Sequence, residues 1–177
     1  RTRISSQDQF IQLCRLYALL HDIGHFPLSH LFERAVKEFA KSGKSKQSEE
    51  ELIQDWSGRS GFEQLHEAFG ALLIEHIMRD ISLDAPIRDA LRRLMTEKTI
   101  TARDPLSVVK TLVDSEIDAD RIDFVQRDGL LAGGEYGNFD IRRLCDSVFL
   151  ERDRNGWIVA YSEKALTSLE ALLLDRY

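Results

Sequence analysis

His21, Asp22, His25 and His30 fall within ten consecutive positions of the segment LLHDIGHFPLSH, residues 19–30. The chain of 177 residues holds five histidines, and three of them are here. Imidazole nitrogen and carboxylate oxygen together suit borderline and hard divalent cations. Histidine is also the side chain that gains and loses a proton near neutrality. The concentration therefore reads as a metal site, a proton-transfer site, or both. The competing reading is plainer: a His–Asp pair at a helix end is more often a capping or structural pair.

Neighbouring residues on a helix point about 100° apart and do not normally converge on one partner. His21 and Asp22 can converge only where the helix ends, and Gly24 supplies that end. Residues 7–22, QDQFIQLCRLYALLHD, carry apolar side chains at helical spacing, with Cys14, Tyr17, Ala18 and His21 on one face. Gly24 and Pro27 lie too close for one regular segment, so IGHFPLS breaks the helix. The next helix begins at Pro27 or Ser29 and runs to about Ala40. Residues 42–60 are polar, with Ser and Gly, and read as an exposed loop inserted in the domain. FEQLHEAFGALLIEHIMRD, residues 62–80, is an amphipathic helix with Phe62, His66, Phe69 and Leu73 on one face.

Two further helices are expected over residues 84–97 and 104–128, each opened by an Asp cap and a Pro in the first turn. LLAGGEYGN, residues 130–138, reads as a glycine-rich loop, and 139–147 as a short helix. Residues 147–162 read as a β-hairpin turning at Asn155–Gly156, and the chain closes on another helix. The fold class is mainly α: a helical bundle with one small β-hairpin near the C-terminus, in a single domain over residues 1–177.

Helical phase picks out more polar residues. DSEIDADRIDFVQRD, residues 114–128, contains six acids. On one continuous helix Asp120 lies i+7 from Val113, i+3 from Ile117 and i−4 from Phe124. It therefore sits on the apolar stripe, while Asp118 and Asp123 fall on more polar faces. A carboxylate on such a stripe is costly unless it is paired or binds a metal. His66, between Phe62, Phe69 and Leu73, poses the same problem. One such histidine is usually a hydrogen-bonded core residue, whereas several polar groups aimed into one core suggest a shared site.

The totals narrow the partners. Net charge is −6, so the basic footprint of a nucleic-acid binder is absent. No apolar run reaches the roughly 20 residues of a membrane-spanning helix, and no signal-peptide pattern opens the chain. Cys14 and Cys145 are far apart and read as free thiols of a reducing compartment. A cytoplasmic protein is expected, with no membrane partner. His76, Trp56, Trp157 and the Lys/Glu run at 44–51 read as structural or solvated.

HDIGHFPLSHLFE resembles the HD-x-GH-x-P-x-SH-x-F-(D/E) signature of the HD-domain metallophosphohydrolases, and more narrowly of their dNTP triphosphohydrolase branch. FEQLHEAF, IDADRIDFVQRD and GEYGNFDIRRL resemble later segments of that branch in the same order. The resemblance implies a divalent metal ion (Mg, Mn, Fe, Co or Zn) held by His21, Asp22 and Asp120. A fourth ligand, a histidine on an earlier helix, has no counterpart here, so the chain is expected to be a fragment lacking that helix and a C-terminal continuation. It implies catalytic roles for His25, Glu33, His66 and Glu67, the last three as a proton-transfer group. It implies substrate contacts by His30, Arg121 and Asp128, the last to a sugar hydroxyl. The implied reaction is hydrolysis of a deoxynucleoside triphosphate to deoxynucleoside and triphosphate. A homo-oligomer and an allosteric nucleotide are also implied. Phe124 stands where the branch usually has Tyr, and Tyr136 has a parallel without a firm role. Another HD phosphohydrolase (a nucleotidase or phosphodiesterase) and a non-catalytic nucleotide-binding module are the alternatives.

Overall fold

The first helix, α1 (Gln7–Leu20), starts where Ser6 accepts a hydrogen bond from the Gln9 N–H, and stops at His21. Stopping there ends the helix at the first chemically marked residue. The computed structural model describes residues 4–42, 46–48, 51, 54–55, 64–97, 99–133 and 136–175. They form eight α-helices and one two-stranded hairpin, the expected mainly α class. The chain divides into two compact units, residues 1–99 and 100–177. Most of the 42–60 loop, Trp56 and Phe62 lie outside the described residues.

In the first unit, α2 (Ser29–Lys41), α3 (Leu65–Asp80) and α4 (Ala85–Thr96) follow α1. The core is built where α4 packs on α1 and α3. Leu13, Tyr17 and Leu20 of α1 are buried with Ile74 and Met78 of α3 and Ile87, Leu91 and Leu94 of α4. Each fully buried aliphatic side chain contributes about 1.5–3 kcal/mol. The buried face of α1 thus runs through Leu13, Tyr17 and Leu20. Cys14 is half-buried and Ala18 exposed, which corrects the face read from spacing. Likewise α3 buries Leu65, Ala68, Ala71 and Ile74, while Leu73 is exposed and His66 lies at the flank of that stripe. In both helices a run of apolar residues fits two overlapping phases, and the neighbour decides between them. Asp84 is at the N-cap of α4, as expected, but its side chain does not bond the first turn.

The link between α1 and α2 is pressed onto α3. A Cβ on Gly24 would lie 1.9 Å from the His66 carbonyl oxygen and 2.4 Å from the Gly70 nitrogen. Phe26 stacks on Phe32 and meets Phe69 edge-on, both with centroids 4.8 Å apart. These rings pack on buried Leu65 and Ala68. Leu28 and Ser29 enter α2 with φ of 69° and 46°. Left-handed backbone costs about 1–2 kcal/mol at an L-residue.

In the second unit the expected helix over 104–128 is two helices, α5 (Leu106–Val113) and α6 (Ala119–Ala132). Asp118 separates them. One carboxylate oxygen accepts the Arg121 N–H at 2.7 Å as N-cap of α6, and the other accepts the Ser115 N–H at 2.6 Å. Asp118 is 4% exposed, and Asp120, on the first turn of α6, is exposed. The phase that set Asp120 on an apolar stripe does not hold, because Val113 and Ile117 are not on its helix. Leu130 to Ala132, read as loop, continue α6, which ends at left-handed Gly133.

Next come α7 (Ile141–Ser147), β1 (Val148–Arg152), β2 (Trp157–Tyr161), a single 3₁₀ turn and α8 (Leu166–Asp175). The strands pair antiparallel from Val148 opposite Tyr161 to Arg152 opposite Trp157. Asp153 shapes the turn by accepting the Asn155 and Gly156 N–H groups. Val125, Phe139, Leu144, Ala165 and Leu172 form the core of this unit, with Phe124 packed against it.

Two contrasts test this packing. Gly24→Ala is expected to cost about 3 kcal/mol or more through its backbone clash. Gly70→Ala meets only Met95 Cε at 3.5 Å and ordinary contacts beyond, so it is expected to stabilise α3 by about 0.5–1 kcal/mol. Denaturant unfolding reads both, and a tolerated Gly24→Ala would overturn the close approach. In the second unit Asp118→Ala is expected to cost about 1–2 kcal/mol as a lost cap, and Asp120→Ala within about 0.5 kcal/mol of zero as an exposed change. Equal losses would show that the capping assignment is wrong.

Candidate functional site

The end of α1 orients the first ligand candidate. His21 is the C-cap residue, and its Nδ1 lies 3.1 Å from the Ala18 carbonyl oxygen. A carbonyl only accepts, so Nδ1 carries the hydrogen, and the neutral ring presents its lone pair at Nε2. That Nε2 is 3.5 Å from Asp22 Oδ1. The two adjacent residues do converge, because the chain leaves the helix between them and Gly24. Histidine anchored at one nitrogen by a backbone carbonyl is the usual way a metal-binding imidazole is held. With an exposed carboxylate beside it, the pair is a fitting donor set for a divalent cation.

His25 follows in the turn. Its Nε2 lies 3.7 Å from the same Asp22 Oδ1, and its Nδ1 lies 3.1 Å from Ser29 Oγ. Its ring stacks on His66, with centroids 4.0 Å apart and planes 20° apart, and meets His30 edge-on at 4.9 Å. Burial holds the His25 pKa below the ordinary imidazole value. His66 and His30 push the same way, while Asp22 and Glu33 oppose them.

Glu33, on α2, is 4% exposed. Its Oε1 accepts two hydrogen bonds from one residue, the backbone N–H and the ring Nδ1–H of His66, each at 2.7 Å. His66 is the second residue of α3, where N–H groups lack intrahelical partners. The α3 N-cap, Gln64, makes no side-chain cap bond, so Glu33 caps α3 from another helix. The same contact fixes the His66 tautomer and leaves Nε2 for chemistry. Exposed His30 lies on the outer side, its Nδ1 3.6 Å from Glu33 Oε2. Thus Glu33 is the carboxylate that the structure brings to His66. Glu67, the neighbouring acid, is exposed, with no bond to His66.

The remaining candidates are in the second unit. Arg121 Nη1 bonds Glu116 Oε2 at 3.0 Å, and its Nε lies 3.9 Å from Asp118. Asp120 and Asp128 are exposed on α6. Tyr136 lines a cavity of about 960 Å³ with Arg127 and Asn138, and neither Arg121 nor Asp128 is part of its lining. His76 is exposed, and Trp157 sits under the Arg152 guanidinium at 5.2 Å. Cys14 and Cys145 are free thiols. No described helix is long and apolar enough to cross a membrane.

Spacing alone did not reveal Glu33, Ser29, Phe26 or Phe32 as parts of this arrangement. The resemblance pointed to Glu33, and the HFPLSHLF run does carry the i+4 relation of His25 to Ser29.

Burial works to raise the Glu33 pKa, but the His66 N–H, its ring and His30 overcome it, and the net shift is downward. A folded value below the unfolded one gives stability that is present above the unfolded pKa and lost as pH falls through the folded one. Glu33→Gln is therefore expected to cost about 1–2 kcal/mol at pH 7. The gap to the native protein closes in acid, as pH falls below the ordinary carboxylate range and through the depressed folded value. Urea unfolding across that range reads it, and a pH-independent gap would contradict an ionised Glu33.

The HD domain family matches residues 3–125. Uncharacterized protein YwfO of Bacillus subtilis is 28% identical over 94% of this chain and 31% of its own. Uncharacterized protein MJ1154 of Methanocaldococcus jannaschii is 26% identical over 94% of this chain and 28% of its own. A Mycoplasma pneumoniae protein, the uncharacterized MG461 homolog, is 26% identical over 90% and 34%. The chain spans about a third of the length of these curated relatives. The family match runs from before α1 into α6 and takes in the whole histidine turn, so the chain belongs to the HD-domain family.

Proposed function

We propose that the protein hydrolyses deoxynucleoside triphosphates to deoxynucleoside and triphosphate. What carries this reading is the Glu33–His66 pair beside the HD dipeptide: a buried carboxylate holding one imidazole with its Nε2 free. The segments GHFPLSH and DADRIDFVQRD support the triphosphohydrolase branch over other HD phosphohydrolases.

In this reading His21, Asp22 and Asp120 hold a divalent cation. Bound there, the cation supplies Lewis-acid polarisation of a phosphoryl oxygen and acidifies water. Water adds to the α-phosphorus, and the bond to the 5′-oxygen of the sugar breaks. His66, held at Nδ1–H by Glu33, acts with a proton taken up at Nε2: it gives that proton to the leaving oxygen, and the proton shed by the added water returns to solvent. His25 and His30 face the phosphates. Arg121, released from Glu116, pairs with phosphate oxygens in the bidentate geometry that suits guanidinium. Asp128 accepts a hydrogen bond from the sugar 3′-hydroxyl, and Glu67 tunes the proton-transfer group from the exposed side.

The test is product analysis with each of the four dNTPs and Mg²⁺ or Mn²⁺. Intact triphosphate is expected. Pyrophosphate or orthophosphate would move the protein to another HD phosphohydrolase, and no turnover with no bound metal would leave a binding module. Within the active enzyme His66→Ala is expected to slow turnover about 100-fold or more while metal content is kept. Asp120→Ala is expected to lose the metal. A metal-free His66→Ala protein would contradict the separation of roles.

A further inference from the structure

His25, His30 and His66 have no metal role in the reading above, yet each offers one ring nitrogen within 4.8 Å of the other two. They come from three places in the first unit: the turn after α1, the first turn of α2 and the first turn of α3. Each also has its Nδ1 beside an oxygen. Ser29 Oγ lies 3.1 Å from His25 Nδ1, Glu33 Oε1 lies 2.7 Å from His66 Nδ1, and Glu33 Oε2 lies 3.6 Å from His30 Nδ1. A carboxylate on one ring nitrogen sets the tautomer and raises the basicity of the other, as Glu33 does for His66 and His30, and the Ser29 hydroxyl orients the His25 ring; metal-ligating histidines are supported in this way. Three rings packed against one another, two of them on one buried carboxylate, cannot all be charged without strong repulsion. Neutral imidazoles are the form that binds a metal.

We propose that His25, His30 and His66 form a second cation site, adjoining the His21–Asp22 pair at Asp22, which takes a borderline transition-metal ion such as Zn²⁺ and so removes these histidines from the reaction. An all-nitrogen set favours Zn²⁺, Ni²⁺ or Cu²⁺ over Mg²⁺, whereas a set containing carboxylates also admits Mg²⁺ and Mn²⁺. Three protein ligands leave a fourth position open for water. Only the inhibitory half of the proposal rests on the function proposed above, since binding depends on the three rings alone.

The experiment titrates the purified full chain with Zn²⁺ by calorimetry and with Co²⁺ by visible absorption. His30→Gln, at an exposed position, is the principal variant. Ser29→Ala, which removes the hydroxyl beside His25 Nδ1, is the second, and Asp22→Asn removes the other site. The native protein is expected to take up a nitrogen-bound equivalent that persists in Asp22→Asn, disappears in His30→Gln and weakens about tenfold in Ser29→Ala. Uptake unchanged in both His30→Gln and Ser29→Ala would overturn the site, as would loss of all uptake in Asp22→Asn. If Asp22→Asn leaves total uptake intact while His30→Gln loses an equivalent, the second site stands and the His21–Asp22 metal reading fails. With Mg²⁺ and a dNTP, Zn²⁺ is expected to inhibit, with about tenfold more needed for Ser29→Ala. Full turnover with the three-histidine site filled would overturn its inhibitory role.

Discussion

Glu33 is a buried carboxylate that holds two N–H groups of a single residue on another helix. The start of α3 depends on this contact, because its first turn has no cap bond from Gln64. Burying the charge is costly, and two charge-assisted bonds at 2.7 Å offset the cost. The donors also lie at the positive end of a helix, where a negative charge is favoured. The same oxygen thus begins a helix and sets the tautomer of the imidazole on it. His66 is held on further sides as well. Gly24 lies against its carbonyl, and the His25 ring lies flat against its ring. Very little of this residue is free to move except the Nε2 edge.

The turn that delivers His25 and Gly24 to α3 is held against its own preferences. Leu28 and Ser29 are both left-handed, and among the described residues they are the only non-glycine positions with positive φ. Such strain, of order 1–3 kcal/mol per residue, persists where surrounding contacts over-determine the backbone. Here the contacts are identifiable. Phe26 is locked between Phe32 and Phe69 on one side of Leu28, and the Ser29 hydroxyl meets His25 on the other. The aromatic cluster is a non-polar anchor directly under a polar cluster, so packing energy from the first sets the geometry of the second. Pro27 contributes a fixed φ between them.

How much of this was legible in the sequence depends on whether the controlling interaction is local. Ser6 capping α1, Gly24 ending its turn and the hairpin around Asn155–Gly156 all follow from neighbouring residues, and the elements fall close to where periodicity and turn chemistry place them. The helix expected over 104–128 failed for an equally local reason that spacing could not weigh. Asp118 binds two backbone N–H groups, Ser115 before it and Arg121 after it, and an N-cap ends one segment as firmly as it begins the next. Once that break is made, the stripe through Val113, Ile117 and Asp120 has no physical meaning. The buried faces of α1 and α3 lie one position from those that spacing picks out, because apolar residues flank both phases and the neighbours decide: α4 for α1, and α4 with Phe26 and Phe32 for α3. Glu33 acts across 33 residues. No local pattern encodes such a cap, and only the resemblance of HLFE to a known signature marked it.

The charge state of the turn follows from how few acceptors it contains. Asp22 Oδ1 stands between two Nε2 atoms, 3.5 Å from His21 and 3.7 Å from His25. That carboxylate favours a proton on His25. Burial and the stacked His66 decide the matter for His25, which is pushed toward the neutral form despite Asp22. Neutral His25 has one nitrogen facing Ser29, a hydroxyl that both donates and accepts and so fits either tautomer. His21 has no such freedom, because the Ala18 carbonyl accepts only. Two histidines four residues apart are thereby given different jobs by their second partners. His21 is committed to present Nε2 as a lone pair, while His25 can exchange which nitrogen holds the hydrogen. The first property suits a ring that always meets its partner at Nε2, and the second a ring that can meet partners at either nitrogen.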